Sequence, residues 1–283
     1  MMKRFIFSIF LLPLLLASPQ TKAQGIMLTP KWTAQAQFTG YYVADKLGFY
    51  KEEGIDVCVQ HPAISESSFS FMEKGRAPVV IMNLSYAFME RLAGARVVNV
   101  MQTSQENSLM LISHSPLKGE ESLRNQKIAV WNHLSQKLLD RLSEHYALKQ
   151  VEWIRFNSGV NVFLSGAADP CLVGSYNEYL QLSEYGMNVD SIYSIRLADY
   201  GYNLPEDGLY VTEEFYNQYP EVVRKLVKAS MRGWAWANEH REEALDMVME
   251  EVKKGNIGTN RYHQRKMLEE VLRLQVDQQS GQR

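Results

Sequence analysis

The stretch QFTGYYVADKLGFYKEEGIDV, from Gln37 to Val57, changes physical character three times in 21 residues. A helical pattern opens at Thr39, which reads as its cap, and places Val43 and Leu47 on one face. Gly48 ends that pattern, a charged turn follows, and Gly54 turns the chain into an apolar strand over Ile55 to Val59. The helix is entered from a first strand that ends before Trp32, so the stretch reads as a β-α-β unit. Its functional end is the beginning, where a helix N-terminus would face the rim of a sheet.

The same alternation continues outward along the chain. Short apolar runs at Ala77–Met82, Val97–Met101, Leu109–Ile112, Lys127–Trp131 and Val151–Phe156 read as strands. Helical patterns fill the gaps: Ser65–Lys74 before Gly75, Tyr86–Ala93 before Gly94, and Ser135–Tyr146 with Leu138, Leu139 and Leu142 on one face. From Glu213 onward the pattern is mostly helical, with Pro220 at a first-turn position, then Glu242–Lys253 and Gln264–Val276. Alternating elements of this kind predict an α/β protein with parallel sheets covered by helices on both sides. The turn-rich segments Ile112–Leu117 and Tyr202–Leu209 are the expected crossings between two lobes. They divide the chain into a discontinuous first lobe, 24–113 plus 205–283, and a continuous second lobe, 114–204.

Composition narrows the function classes. With 283 residues and 46% hydrophobic content, the chain can bury one large core or two medium ones. Residues 1–23 read as a secretory signal peptide: Lys3 and Arg4 precede an apolar run from Phe5 to Ala17, and a polar stretch ends at Ala23. The run is shorter than the roughly 20 apolar residues that a membrane span needs, so export to the periplasm is the expectation. Without that segment the formal charge moves from −2 to −5. No basic stripe is present to neutralise phosphates, which argues against a nucleic-acid partner. Cys58 and Cys171 each sit inside a strand-like run and are expected to be buried free thiols rather than a disulfide.

Catalytic and metal signatures are not found: the sequence has no P-loop, no G-x-G-x-x-G, no G-x-S-x-G and no Cys/His pair at zinc spacing. Its six histidines are scattered and read as surface or partly buried residues. What remains is a group of aromatic and amide-bearing residues at expected strand ends, where open α/β sheets collect ligands. These are Trp32 and the segment Gln37, Phe38, Thr39 and Gly40; Asn83, Ser85 and Tyr86; Trp131; and Tyr176, Asn177 and Glu178. If their edges converge, they form a cleft with aromatic walls and a few polar heads, suited to a flat, mostly uncharged small molecule. Simpler roles stand beside that one. Trp32 and Trp131 could be core tryptophans, Asn83 and Ser85 ordinary helix caps, and Glu178 a first-turn acid favourable to the helix dipole.

Four stretches in order, "W…QFTGYYVADKLGFYKEEGIDV", "SYNEY" at 175–179, "ADYGYN" at 198–203 and "ASMRGWAWA" at 229–237, resemble the solute-binding proteins of ABC importers. The branch they resemble is the one shared by thiamine-pyrimidine-precursor binding proteins and fungal-type thiamine pyrimidine synthases. The resemblance implies a two-lobed periplasmic-binding-protein fold (type II), hinged, with the ligand cleft between the lobes. It implies a monomer that binds a small heteroaromatic molecule, uses no cofactor or metal, catalyses nothing, and delivers its ligand to an ABC permease and ATPase. By position, Trp32 and Tyr176 would pack on a pyrimidine ring, Glu178 would accept from its amino edge, and Gln37 to Gly40 would close the near side. The sequence departs from that branch where Asn-Thr-Asn-His is common: here it reads Gln35-Ala36-Gln37-Phe38, with Phe38 in the histidine's place. No counterpart of the synthases' substrate histidine and cofactor lysine is found. The alternatives are an extracellular sensing domain, suggested by an end soon after a helical pattern, and, third, a synthase-like enzyme of the same branch.

Overall fold

The computed structural model describes residues 25–276, apart from 64–65, 119, 133–138, 141–142, 145–149 and 158. The signal segment and most of the helix expected at Ser135–Tyr146 lie outside the described residues.

Two five-stranded sheets carry the chain. The first is built from β1 (Ile26–Thr29), β2 (Val57–Val59), β3 (Val79–Asn83), β4 (Val97–Gln102) and β10 (Asp207–Thr212), in the order β2-β1-β3-β10-β4. The second uses β5 (Leu109–Ser113), β6 (Lys127–Trp131), β7 (Glu152–Phe156), β8 (Cys171–Gly174) and β9 (Tyr193–Arg196), in the order β7-β6-β8-β5-β9. The sheets are mixed rather than parallel, because β10 runs antiparallel to β3 and β4, and β5 antiparallel to β8 and β9. Each reversed strand is the one that enters its sheet from the other lobe, and so arrives at the cleft edge and runs away from it.

The chain crosses between sheets over 103–108 and 197–206. The first crossing therefore precedes the expected Ile112–Leu117, since Leu109–Ser113 is already a strand of the second sheet. The second expected segment, Tyr202–Leu209, contains the start of β10, whose opening pair Asp207-Gly208 reads as a turn. The two crossings are tied to one another. Asp207 O accepts from the N–H groups of Thr103 (2.8 Å) and Ser104 (3.0 Å), and Ser104 Oγ accepts from those of Glu206 (2.9 Å) and Asp207 (2.7 Å).

The opening stretch folds as α1 (Thr39–Lys46), a left-handed Gly48 at φ 77°, and α2 (Phe49–Glu52), which occupies what reads as a charged turn. Gly54, at φ 74°, then releases the chain toward β2. Around the sheets pack α3 (Ser68–Glu73), α4 (Leu84–Leu92), α5 (Asn161–Leu164), α6 (Glu178–Glu184), α7 (Glu213–Gln218), α8 (Pro220–Glu239), α9 (Arg241–Lys254) and α10 (Arg261–Leu274). Along α8 the buried positions Val223, Leu226, Ala229, Ser230, Gly233, Trp234 and Ala237 recur at helical spacing, forming the stripe that meets α1. The helices touch through glycine. A Cβ on Gly233 would lie 2.0 Å from the Gly40 carbonyl oxygen, and one on Gly40 2.2 Å from the Trp234 ring.

Both thiols are free, but only Cys171 is buried; Cys58 is exposed because β2 is an edge strand and residue 58 faces outward.

Candidate functional site

The carboxyl ends of β1, β3, β6 and β8 and the start of β10 meet along the seam between the lobes. Five of the expected residues, Gln37, Trp131, Tyr176, Asn177 and Glu178, come together there. Tyr176 hydrogen-bonds Gln37 of the opposite lobe and, with Leu180 of α6, packs against the first lobe's core. Burial drives the Tyr176 hydroxyl well above its ordinary range, and the nearby charges of Glu206, Asp207 and Glu178 push the same way. Trp131 ends β6 beside Phe156, with ring centroids 6.0 Å apart, and its Nε1–H donates to Glu178 Oε1 at 3.3 Å.

Glu178 is buried at the first turn of α6, where it also accepts from Asn177 Nδ2 (3.1 Å) and the Gly174 N–H (3.1 Å). Burial raises this carboxyl, against the pull of those donors. A side chain on Gly174 would intrude on the space between them: its Cβ would stand 3.2 Å from Glu178 Oε2, 3.5 Å from Ser108 Oγ and 3.8 Å from the Trp131 ring. Asn177 faces α10 as well, its Oδ1 lying 3.0 Å from His263 Nε2.

The remaining expected residues go elsewhere, for local reasons. Phe38 is fully buried at 0% exposure in the first lobe's core, its ring centroid 5.6 Å from that of His61. The 3-10 turn Ala36–Phe38 sends its apolar side chain inward and leaves Gln37 to the seam, so Phe38 is not a wall of the cleft. Thr39 begins α1 instead of capping it, and its hydroxyl donates to Ala36 O at 2.6 Å. Gly40 is the contact glycine of the α1–α8 crossing, with Trp234 filling the space above it. Asn83 is the cap residue of α4 but makes no capping bond, because its Oδ1 is taken by Lys31 Nζ. Ser85 and Tyr86 are exposed, Tyr86 at 40%, with its ring edge-on to Phe69. Trp32 lies after β1, 39% exposed, and its carbonyl oxygen is 2.6 Å from His61 Nδ1.

Several seam residues escaped the sequence reading. Lys31 Nζ pairs with Asp207 Oδ1 at 2.5 Å, and Gln37 Nε2 donates to Asp207 Oδ2 at 2.6 Å. Ser108 Oγ lies 2.9 and 3.1 Å from the two carboxyl oxygens of Glu206. Burial raises the Glu206 carboxyl, against the attraction of Lys31. From α10, which packs on the first lobe, His263 Nδ1 lies 2.5 Å from Glu184 Oε1, and Glu270 Oε1 accepts from Ser175 Oγ (2.5 Å) and Arg196 (3.0 Å). His263 is therefore a buried cross-lobe residue, where the sequence reads as surface or partly buried. The adjacent acids Glu206-Asp207 at a crossing were the one legible signal for this cluster.

Between Gln37, Thr103, Ser104, Tyr176, Glu206 and Asp207 lies a cavity of ≈ 20 Å³. That is space for a water, not for an aromatic ring. In this arrangement the lobes touch across the seam.

A family model described as "NMT1/THI5 like" matches residues 35–244. The riboflavin-binding protein RibY of Chloroflexus aurantiacus is 28% identical over 265 residues, covering 89% of this chain and 73% of that protein. The formylaminopyrimidine-binding protein of Halalkalibacterium halodurans is 24% identical over 273 residues, covering 90% and 81%. Among solved structures, the periplasmic aliphatic sulphonate binding protein SsuA of Escherichia coli superposes with a TM-score of 0.67 at 14% identity, over 89% of each chain. The fold is thus the two-lobed fold of periplasmic binding proteins.

Proposed function

The chain belongs to the NMT1/THI5-like family, and we propose that it is a periplasmic solute-binding protein that closes on a pyrimidine-bearing heteroaromatic ligand and hands it to an ABC permease and its ATPase. The observation that carries this reading is the convergence, from two lobes, of Trp131, Tyr176 and Glu178 on one side with Gln37, Lys31 and Asp207 on the other. Two aromatic rings and a small set of polar heads suit a flat molecule held by stacking and oriented by hydrogen bonds. The named ligands of the two relatives share a pyrimidine ring, free in one and fused in a flavin in the other.

The lobes follow the sheets, the first from residues 25–102 and 207–276 and the second from 109–196, with the crossings as hinge. Closure is stabilised by ligand contacts to both lobes, which is how occupancy can be reported to a membrane partner. We read the protein as an exported monomer that binds without catalysis. Lys31, the lysine in the seam, is held in an ion pair with Asp207 and is not presented as a free amine. Incubation with pyridoxal phosphate should accordingly give no internal-aldimine absorbance, and its appearance would favour the enzyme.

The direct test of the ligand class is native mass spectrometry of the protein as purified, followed by titration of Trp131→Ala and Tyr176→Ala. Each substitution should weaken binding of a pyrimidine-bearing ligand by about 1–3 kcal/mol through lost stacking. Wild-type affinity in both variants would place the ligand elsewhere.

A further inference from the structure

The carboxyl groups of Glu178, Asp207 and Glu206 face the seam, and they are compensated unequally. An ionised carboxylate offers about four acceptor positions. Glu178 has given three of them to the protein: Trp131 Nε1 and Asn177 Nδ2 on Oε1, and the Gly174 N–H on Oε2. Asp207 has its charge compensated by Lys31, which faces Oδ1 in an ion pair without a hydrogen bond to it, and its Oδ2 accepts from Gln37. Glu206 differs. Among the described residues it makes no ion pair, and its only side-chain donor is the single hydroxyl of Ser108, shared between the two oxygens at 3.1 and 2.9 Å, with the Ser108 backbone N–H assisting.

Glu206 also lines the cavity beside Gln37, Asp207 and Tyr176. Its backbone is fixed by the Ser104 hydroxyl and by the Leu84 N–H, which donates to the Glu206 carbonyl at 2.8 Å. Ser108 and Glu178 both lie within 3.5 Å of the point a Cβ on Gly174 would occupy. The Glu178 carboxyl and the Ser108 hydroxyl that holds Glu206 therefore flank one narrow space that Trp131 walls.

We propose that Glu206 is the specificity-determining acceptor of the cleft, taking an N–H from the pyrimidine edge of the ligand, while Glu178 is a positioning residue that holds the Trp131 ring. This rests on the pyrimidine-binding reading above and assigns the edge-reading role to a hinge carboxyl instead of the first-turn acid of α6. The chemistry it selects is a ring with an N–H donor. Both an exocyclic amine on a pyrimidine and the ring N–H of a flavin's pyrimidine portion supply one. A carboxylate left facing an N-methyl group loses its partner and stays desolvated, which is the basis of strong rejection.

The experiment is calorimetric titration of the full chain with two matched probe pairs: 4-amino-2-methylpyrimidine against its N,N-dimethyl analogue, and riboflavin against N3-methylriboflavin. Wild type should prefer the unmethylated member of one pair by roughly 10- to 100-fold, and the pair that binds identifies the source of the edge. Glu206→Ala should reduce that preference to near unity, and Glu206→Gln, which keeps a carbonyl acceptor, should retain part of it. Ser108→Ala, which removes the hydroxyl that orients the Glu206 carboxyl, should lower the preference even if Glu206→Ala does not fold. Glu178→Gln should weaken both members of the pair alike and, in ligand-free protein labelled with 5-fluorotryptophan, shift the ¹⁹F resonance of Trp131. If Glu178→Gln abolishes the preference while the Glu206 variants and Ser108→Ala keep it, the assignment is overturned and the pyrimidine reading stands. If wild type binds neither pair, both fall together.

Discussion

At the scale of single residues, the molecule uses glycine and buried carboxyl groups for opposite purposes. Gly233 and Gly40 let α8 and α1 touch backbone to ring, with no room for a methyl group. Gly233→Ala must push the helices apart, and we expect a loss of about 2–3 kcal/mol in urea unfolding with an unchanged m-value. Neither glycine touches the seam, so ligand affinity measured on the folded fraction should stay within about twofold of wild type; a variant as stable as wild type would show that the crossing is looser than described. Phe38 teaches the same lesson from the other side. The sequence marks it as standing where a hydrogen-bonding ring is common, but its three-residue turn sends it to the core and presents Gln37 instead. A one-residue choice of direction in a 3-10 turn leaves no periodic trace. Trp131, Tyr176 and Glu178 were legible because each lies at or just past the end of a clean apolar strand, whereas Lys31, Ser108 and Glu206 are polar residues in irregular segments and acquire meaning only when two lobes bring them together.

Among the elements, α10 is the one that spans the lobes. It packs on the first lobe and reaches the second through His263 to Glu184 and Asn177, and through Glu270 to Ser175 and Arg196. Its C-terminal carbonyl at Leu274 accepts from the Gln105 N–H of the first crossing at 2.8 Å, so latch and hinge are one connected piece. Burial pushes the Glu270 carboxyl up, but hydrogen bonds from Arg273 and Ser175 and the charges of Arg196 and Arg273 outweigh it and hold it below the usual range. A depressed carboxyl contributes stability above its unfolded value, about 4.3 for Glu, and loses it as pH falls through the lower folded value. Because Ser175 and Arg196 lie across the seam, part of that contribution belongs to closure. Small-angle scattering should show a more open protein in Glu270→Gln at neutral pH, and a wild-type opening on acidification that the variant lacks. Identical profiles for the two proteins would remove α10 from the clamp. The helix itself was readable from its apolar spacing. Its partners were not, since these cross-lobe contacts join residues 74 to 95 positions apart. The strand β10 went unread for a related reason: it opens Asp207-Gly208, a turn-like pair, and is fixed as a central strand by β3 and β4 on either side.

For the whole molecule, the two sheets share one plan: a run of parallel strands with a single reversed strand placed next to last. Both reversed strands enter at the seam, so the crossings, the hinge bonds at Ser104 and the acids Glu206 and Asp207 gather at one place by topology. The alternation of strands and helices announced two α/β lobes; the reversal did not appear, because an antiparallel and a parallel strand of four to six apolar residues read alike. A clamp of this build has its ligand enter while open and be covered on closing. Most of its binding free energy therefore arises when both lobes engage the same ring. The measurement that tests this most directly is calorimetric titration of wild type against three ligands: a 4-aminopyrimidine, riboflavin and an aliphatic sulfonate. The account predicts saturable one-to-one binding of one of the two pyrimidine-bearing ligands, at about micromolar affinity or better, near −8 kcal/mol, and no heat from the sulfonate. Tight binding of the sulfonate with neither pyrimidine-bearing ligand bound would contradict it.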